Sequence, residues 1–313
     1  MKTILLTGAA GFIGKNLSKA LMDSGHTVHN LDCLLDESYP SEIKRNNWNE
    51  LKLLSNSNSK FFELDLRFDD LEIALVDVDV VINLAAMPGL MKSWSDFHLY
   101  ISCNLLAVER LLNSIAGKKI EFIQASTSSV YGTNAIGDEN VDKIPSSPYG
   151  VSKLAAENLI QAYHKNFGVS YKILRLFSVY GPGQRPDMGY QKFCEAIIDE
   201  KPITLHGNGM HTRSATYITD CVDSILKLTL IEQTNFIVNI CGNEEIETRN
   251  AVNILSDAIG KPAIILQGAS RPGDQISTKG DTTFLKKLIG VTPQTTAKVG
   301  LTNQAIWAKN AKK

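Results

Sequence analysis

Tyr149 and Lys153 stand four residues apart in the stretch SSPYGVSK, which places them one helical turn apart on one face. An ammonium beside a phenol favours the phenolate, so such a pair can serve as a general base near neutral pH. The same spacing also arises on solvated helices, and taken alone it leaves both readings open. Upstream, residues 125–132 read ASTSSVYG, with Thr127, Ser128 and Ser129 at the end of an apolar strand pattern. Buried hydroxyls without partners cost free energy. These three either present hydrogen bonds to a ligand or satisfy backbone and water at the strand end.

A second constellation, TGAAGFIG, places Gly8, Gly11 and Gly14 where a strand ends and a helix opens, with Phe12 and Ile13 beginning that helix. Glycines there let backbone amides approach a pyrophosphate at the positive end of the helix. Asp32 follows 18 residues after Gly14, at the end of the second strand pattern. A carboxylate at that place accepts hydrogen bonds from ribose hydroxyls and repels a 2′-phosphate, which points to NAD rather than NADP.

These residues need a scaffold, and the whole chain describes one. It has 313 residues, 43% of them apolar and 21% charged, enough for one large domain or a domain with a smaller lobe. With 32 basic and 33 acidic residues and no block of like charge, nothing favours nucleic acid or a membrane surface; a small molecule is the expected partner. The opening MKTILLTGAAGFIG breaks into glycines too early for a signal peptide. No stretch approaches the roughly 18 apolar residues of a membrane span. Five scattered cysteines, never spaced Cys-x-x-Cys, fit a reducing cytoplasm. The six histidines show no ligand pairing, and no metal is expected.

Short runs rich in Ile, Leu and Val alternate with longer helical patterns. Strands are expected over 3–7, 27–31, 60–64, 80–84, 120–125, 171–176 and 236–240, and helices over 12–24, 100–115, 148–167 and 218–231. That alternation predicts an α/β fold of Rossmann type, a doubly wound parallel sheet buried on both faces. After residue 177 the pattern turns irregular, with YGPGQRPDMG, LHGNGMHTRS and GASRPGDQ as loops facing the strand ends. The expected division is a dinucleotide-binding domain over 1–177, with 216–243 returning to it, and a smaller, discontinuous C-terminal lobe over 178–215 and 244–313.

Taken in order, TGAAGFIG, NLAAMPG, STSSVYG, YGVSK and RLFSVYGPGQRPDMG resemble the extended short-chain dehydrogenase/reductase family, in its nucleotide-sugar epimerase and dehydratase branch. The resemblance implies that Thr127, Tyr149 and Lys153 are catalytic. It further places Asp65 and Leu66 near an adenine, Leu84, Ala85 and Ala86 along the cofactor phosphates, and Asn104 and the Tyr149–Lys153 pair among the cofactor-binding residues. Thr127-Ser128-Ser129 stands where the 4,6-dehydratases carry Thr-Asp-Glu, so the acids of a dehydratase are missing. A row of neutral hydroxyls, with Ser178 beyond it, suits an acceptor on the sugar, the strongest being a carboxylate. Arg185, Arg213 and Arg271 with Asp274 resemble segments that hold a nucleotide diphosphate, and guanidiniums grip one by paired hydrogen bonds.

Within the branch the likeness is to bacterial UDP-glucuronic acid 4-epimerases, although Met87 and Met91 stand where relatives usually carry Gln and Arg. The implied reaction is NAD-dependent 4-epimerisation of a UDP-sugar: transient oxidation at carbon 4, rotation of the 4-keto intermediate, and hydride return. A UDP-glucose or UDP-N-acetylglucosamine 4-epimerase, a UDP-glucuronic acid decarboxylase and a non-catalytic NAD-binding regulator are the alternatives. The family further implies a homodimer through a four-helix interface built from helices 100–115 and 148–167.

Overall fold

The computed structural model describes residues 1–37, 39–55, 59–270 and 273–312. Its larger sheet has seven parallel strands, ordered across the sheet as Phe236–Ile240, Tyr171–Leu176, Glu121–Thr127, Val80–Asn83, Thr3–Thr7, Thr27–Asp32 and Lys60–Glu63. The strand order reverses between Thr3–Thr7 and Val80–Asn83, and a crevice opens at the carboxyl ends there, the place where open α/β sheets take ligands. Helices cover both faces. Ile4 and Leu6 pack into the core on one side and Leu5 into the core on the other, all three fully buried. Period-two alternation with both faces apolar is why the strand reads as a continuous apolar run.

All seven expected strands form, with ends shifted by no more than two residues. The informative shift is at Glu121–Thr127, which runs two residues past the expected end. The register pairs Thr127 with Leu176, and this carries the first hydroxyl to the sheet's carboxyl edge. The helix Pro148–Phe167 has the expected ends for readable reasons. Ser147 caps it by accepting from the Gly150 amide (3.2 Å), Pro148 opens it, and Gly168 closes it in the left-handed region. The helix expected over 100–115 begins earlier, at Phe97, and contains a π-helical turn, Ser102–Leu106. Such turns concentrate at functional sites.

The smaller lobe is more regular than its loop-rich sequence suggests. Helices Gly189–Ile198, Thr248–Ile259 and Ala297–Ala311 pack against one another, while Thr283–Ile289 lies against the strand Phe236–Ile240. Four short strands, Ile246–Glu247, Thr212–Arg213, Ser277–Gly280 and Asn134–Gly137, form a second sheet. Among the described residues no helix is long and apolar enough to cross a membrane, and no cluster of His, Cys, Asp or Glu is arranged to hold a metal.

Candidate active site

A cleft of about 660 Å³ runs along the carboxyl ends of the strands and under the smaller lobe. Among the described residues, every predicted site residue lines it except Asn104. Arg271 lies outside the described residues.

The glycine turn forms one wall. Gly8 sits at φ +70°, and a Cβ there would stand 2.8 Å from the Ala85 amide nitrogen; a Cβ on Gly14 would stand 2.0 Å from the Gly8 carbonyl oxygen. Only glycine lets the turn, the helix and the Leu84–Ala86 segment come this close. Asp32 is nearly buried, accepting from the Ala10 amide (3.0 Å) and the Leu34 amide (2.8 Å). Burial raises its pKa, with those two amides opposing. The carboxylate also lines the cleft, where ribose hydroxyls can donate to it. Farther along, Leu66 joins the wall beside Asp65, which is clasped by Arg67 at 2.9 and 2.7 Å. Burial works against the Asp65 carboxylate, but the Arg67 hydrogen bonds hold its pKa below the usual range. A glycine-lined helix start with an anchored carboxylate beyond it fits a dinucleotide.

Asn104 stands behind that wall. Its Oδ1 accepts from the Met87 amide (2.7 Å), and its Nδ2 donates to the Met87 carbonyl and the Ser152 hydroxyl, both at 3.0 Å. The side chain is consumed in pinning the Met87 backbone, so in this structure Asn104 shapes the cleft without lining it. Met87 is buried and Met91 is exposed at the mouth.

At the sugar end, strand Glu121–Thr127 meets helix Pro148–Phe167. The Tyr149 phenol stands beside Thr127, and burial raises its pKa while Thr127 and Arg185 oppose. Lys153 donates from Nζ to the Ala125 carbonyl at 2.6 Å. Burial lowers its pKa to about 8, with Glu157 one turn further along resisting. A phenol, a hydroxyl relay and an ammonium thus share one pocket, an arrangement able to take and return a proton.

The three hydroxyls are not equivalent. Thr127 donates to the Ser129 hydroxyl (3.2 Å) and accepts from the Ser129 amide (3.1 Å). Ser128 is tied to Gln275 of the smaller lobe. Gln275 Nε2 donates to the carbonyls of Ser128 (3.1 Å) and Gly132 (2.9 Å), which turns its Oε1 toward the Ser128 hydroxyl (3.3 Å). The Ser128 hydroxyl is thus held against the smaller lobe while the residue lines the cleft. Ser178 lines the cleft as an exposed hydroxyl.

Arg185 and Arg213 are already engaged. Arg185 grips Asp187 at 2.9 and 2.8 Å and lies over the Tyr39 ring. Arg213 donates to the carbonyls of Gln275 (2.6 Å) and Thr212 (2.7 Å), which shapes the segment carrying Asp274. Sequence reasoning missed Gln275, Asp187, Lys44 and Lys192, all on the cleft wall. Asp187 and Gln275 sit beside residues that were singled out, in RPDM and GDQ. Lys44 and Lys192 belong to helices that the expected element list omitted.

The model of the NAD dependent epimerase/dehydratase family matches residues 4–241. A Bacillus subtilis relative named "Uncharacterized UDP-glucose epimerase YtcB" is 39% identical over 309 residues, covering 96% of each chain. The UDP-glucuronate 4-epimerase of Thermodesulfobacterium geofontis is 33% identical over 315 residues, covering 97% of this chain and 95% of its own. Among solved structures, UDP-glucuronic acid 4-epimerase from Bacillus cereus, in complex with UDP-glucuronic acid and NAD, is similar with a TM-score of 0.95 at 36% identity over 99% of both chains. Because the family match extends from the first strand of the large sheet to its last, through the glycine turn, Thr127, Tyr149 and Lys153, the chain belongs to the NAD dependent epimerase/dehydratase family.

Proposed function

We propose that this chain is a 4-epimerase of UDP-sugars that interconverts UDP-glucuronic acid and UDP-galacturonic acid. The observation that carries the reading is the pocket in which Thr127, Tyr149 and Lys153 meet beneath Ser128, Ser129 and Ser178, with no acidic pair where a dehydratase needs one. The likeness to the Bacillus cereus enzyme supports the uronic acid.

NAD is the cofactor; bound along the glycine turn and Asp32, it supplies a hydride acceptor that is restored in each turnover. Tyr149 takes the proton of the sugar 4-hydroxyl, directly or through Thr127, and returns it after the 4-keto sugar has turned its other face. Lys153, as an ammonium, stabilises the phenolate. Ser129 and Ser178 donate toward the group on carbon 5. Arg185, Arg213, Arg271 and Asp274 hold the nucleotide diphosphate, and Asp65 and Leu66 flank the adenine.

A neutral UDP-hexose is the second reading. It is favoured by Met91 at the mouth and by the name of the Bacillus subtilis relative. Proton NMR of the purified protein with UDP-glucuronic acid, and in a parallel sample with UDP-glucose, separates the readings. Appearance of the UDP-galacturonic acid anomeric signal without stoichiometric NADH is expected. A pentose signal means decarboxylation, and turnover of UDP-glucose alone means the neutral sugar.

The reading extends to organisation. The division into 1–177 with 216–243, against 178–215 with 244–313, separates cofactor binding from sugar-nucleotide binding. Exposed Leu106 and Val151, on the helices expected to pair, support a homodimer.

A further inference from the structure

Three consecutive residues of the strand Glu121–Thr127 each face the helix Pro148–Phe167, and two of them are fastened to it. The Ala125 carbonyl accepts from Lys153, and the Thr127 hydroxyl stands beside the Tyr149 phenol. Between them the Ser126 hydroxyl donates to Glu157 Oε1. The helix partners Tyr149, Lys153 and Glu157 are spaced one turn apart, so they form a single ladder on one face. Two rungs carry the proposed chemistry. The third, Glu157, lies outside the cleft and has no part in it.

Glu157 is 1% exposed, as is its partner Arg175 on the next strand. Arg175 donates to both carboxylate oxygens (3.1 and 2.7 Å), to the Tyr131 hydroxyl (2.9 Å) and to the Glu139 carbonyl (3.0 Å). Tyr131 in turn donates to Asn239 (2.7 Å). A buried ion pair is a poor source of stability, since well-packed apolar residues often serve as well or better. Its position one turn behind Lys153 suggests a different use.

We propose that Glu157 is a positioning residue for the active site: clasped by Arg175 on one side and bonded to Ser126 on the other, its carboxylate holds Lys153 as an ammonium and sets the strand against the helix. This rests on the reading that Lys153 assists Tyr149. The groups around Lys153 bear it out. From its own helix come Tyr149 and Glu157; from the strand, the Ala125 carbonyl and the hydroxyls of Ser126 and Thr127. Tyr100 packs edge-on against Tyr149, and Arg185 reaches Tyr149 from across the cleft. Arg175 and Tyr131 stand behind Glu157. Among these, Glu157 is the anion that opposes the loss of the Lys153 proton to burial.

The test compares the pH dependence of kcat in wild type, Glu157→Gln and the double variant Glu157→Gln/Arg175→Gln, which leaves no unpaired buried charge and guards against simple misfolding. Both variants should bring the basic limb to lower pH by roughly half a unit or more, a change of about threefold or more in the proton affinity of Lys153. KM for the sugar should stay near its wild-type value. Ser126→Ala, which removes the rung but leaves the charge, should lower kcat without moving the limb. A carbon-13 NMR titration of the Lys153 ε-methylene in the NAD-bound protein gives the same shift without turnover, so failure of the substrate assignment is told apart from failure of this proposal. An unmoved Lys153 titration in folded variants, or an equal shift in Ser126→Ala, overturns the role of the Glu157 charge.

Discussion

At Lys153, burial and function pull in opposite directions. Burial lowers the pKa from 10.5 to about 8, while the proposed role needs the ammonium. Turnover is therefore expected to hold up to about pH 8 and to fall above it, measured as the basic limb of the kcat profile. Stability moves the other way. Between pH 8 and 10.5 the unfolded chain binds the proton that the folded chain has lost, so this group's penalty is relieved as pH rises through that window. Tyr149→Phe removes the proton acceptor and leaves the ring in place; kcat should fall by about 10²–10⁴-fold with little change in sugar binding, which stopped-flow kinetics and calorimetry can measure separately. Residue types and spacing made this pair legible. The contact between Ser128 and Gln275 was not, because the two lie 147 positions apart in the chain.

The glycine turn is a statement about elements in contact. A methyl group on Gly14 would press within 2.0 Å of the Gly8 carbonyl oxygen, so Gly14→Ala must push the first helix off the first strand. Overpacking of this kind costs about 1–3 kcal/mol. Urea unfolding should show that loss, and the variant should purify with less NAD, assayed after acid extraction. The helix and strand patterns were readable because burial imposes its period on the sequence. The lobe helices were passed over even though Ala251, Val252, Leu255 and Ile259 mark a buried face at helical spacing, because the glycine-rich loops between them drew the reading toward irregular structure.

At the scale of the whole molecule, the helices Phe97–Ile101, Ala107–Ile115 and Pro148–Phe167 with the turn between the first two present exposed apolar side chains. Leu106, in the π-helical turn between the first two, is 53% exposed, and Val151 is 46% exposed. A charge placed in a dimer core must be desolvated without a partner. Leu106→Glu with Val151→Glu should therefore convert a dimer to a monomer by light scattering, with circular dichroism unchanged; a wild-type monomer would dismiss the homodimer.

The sequence by itself determined the parallel sheet, the place of the glycine turn, Asp32, and the Tyr149–Lys153 pair, because each is encoded in local spacing. Tertiary structure alone decided which groups those residues meet. Asn104 turns its amide to Met87, Gln275 reaches Ser128 from another lobe, and Arg175 meets Glu157 from the neighbouring strand. Contacts of long sequence separation leave no periodic trace in a single chain, yet they fix which groups surround the site.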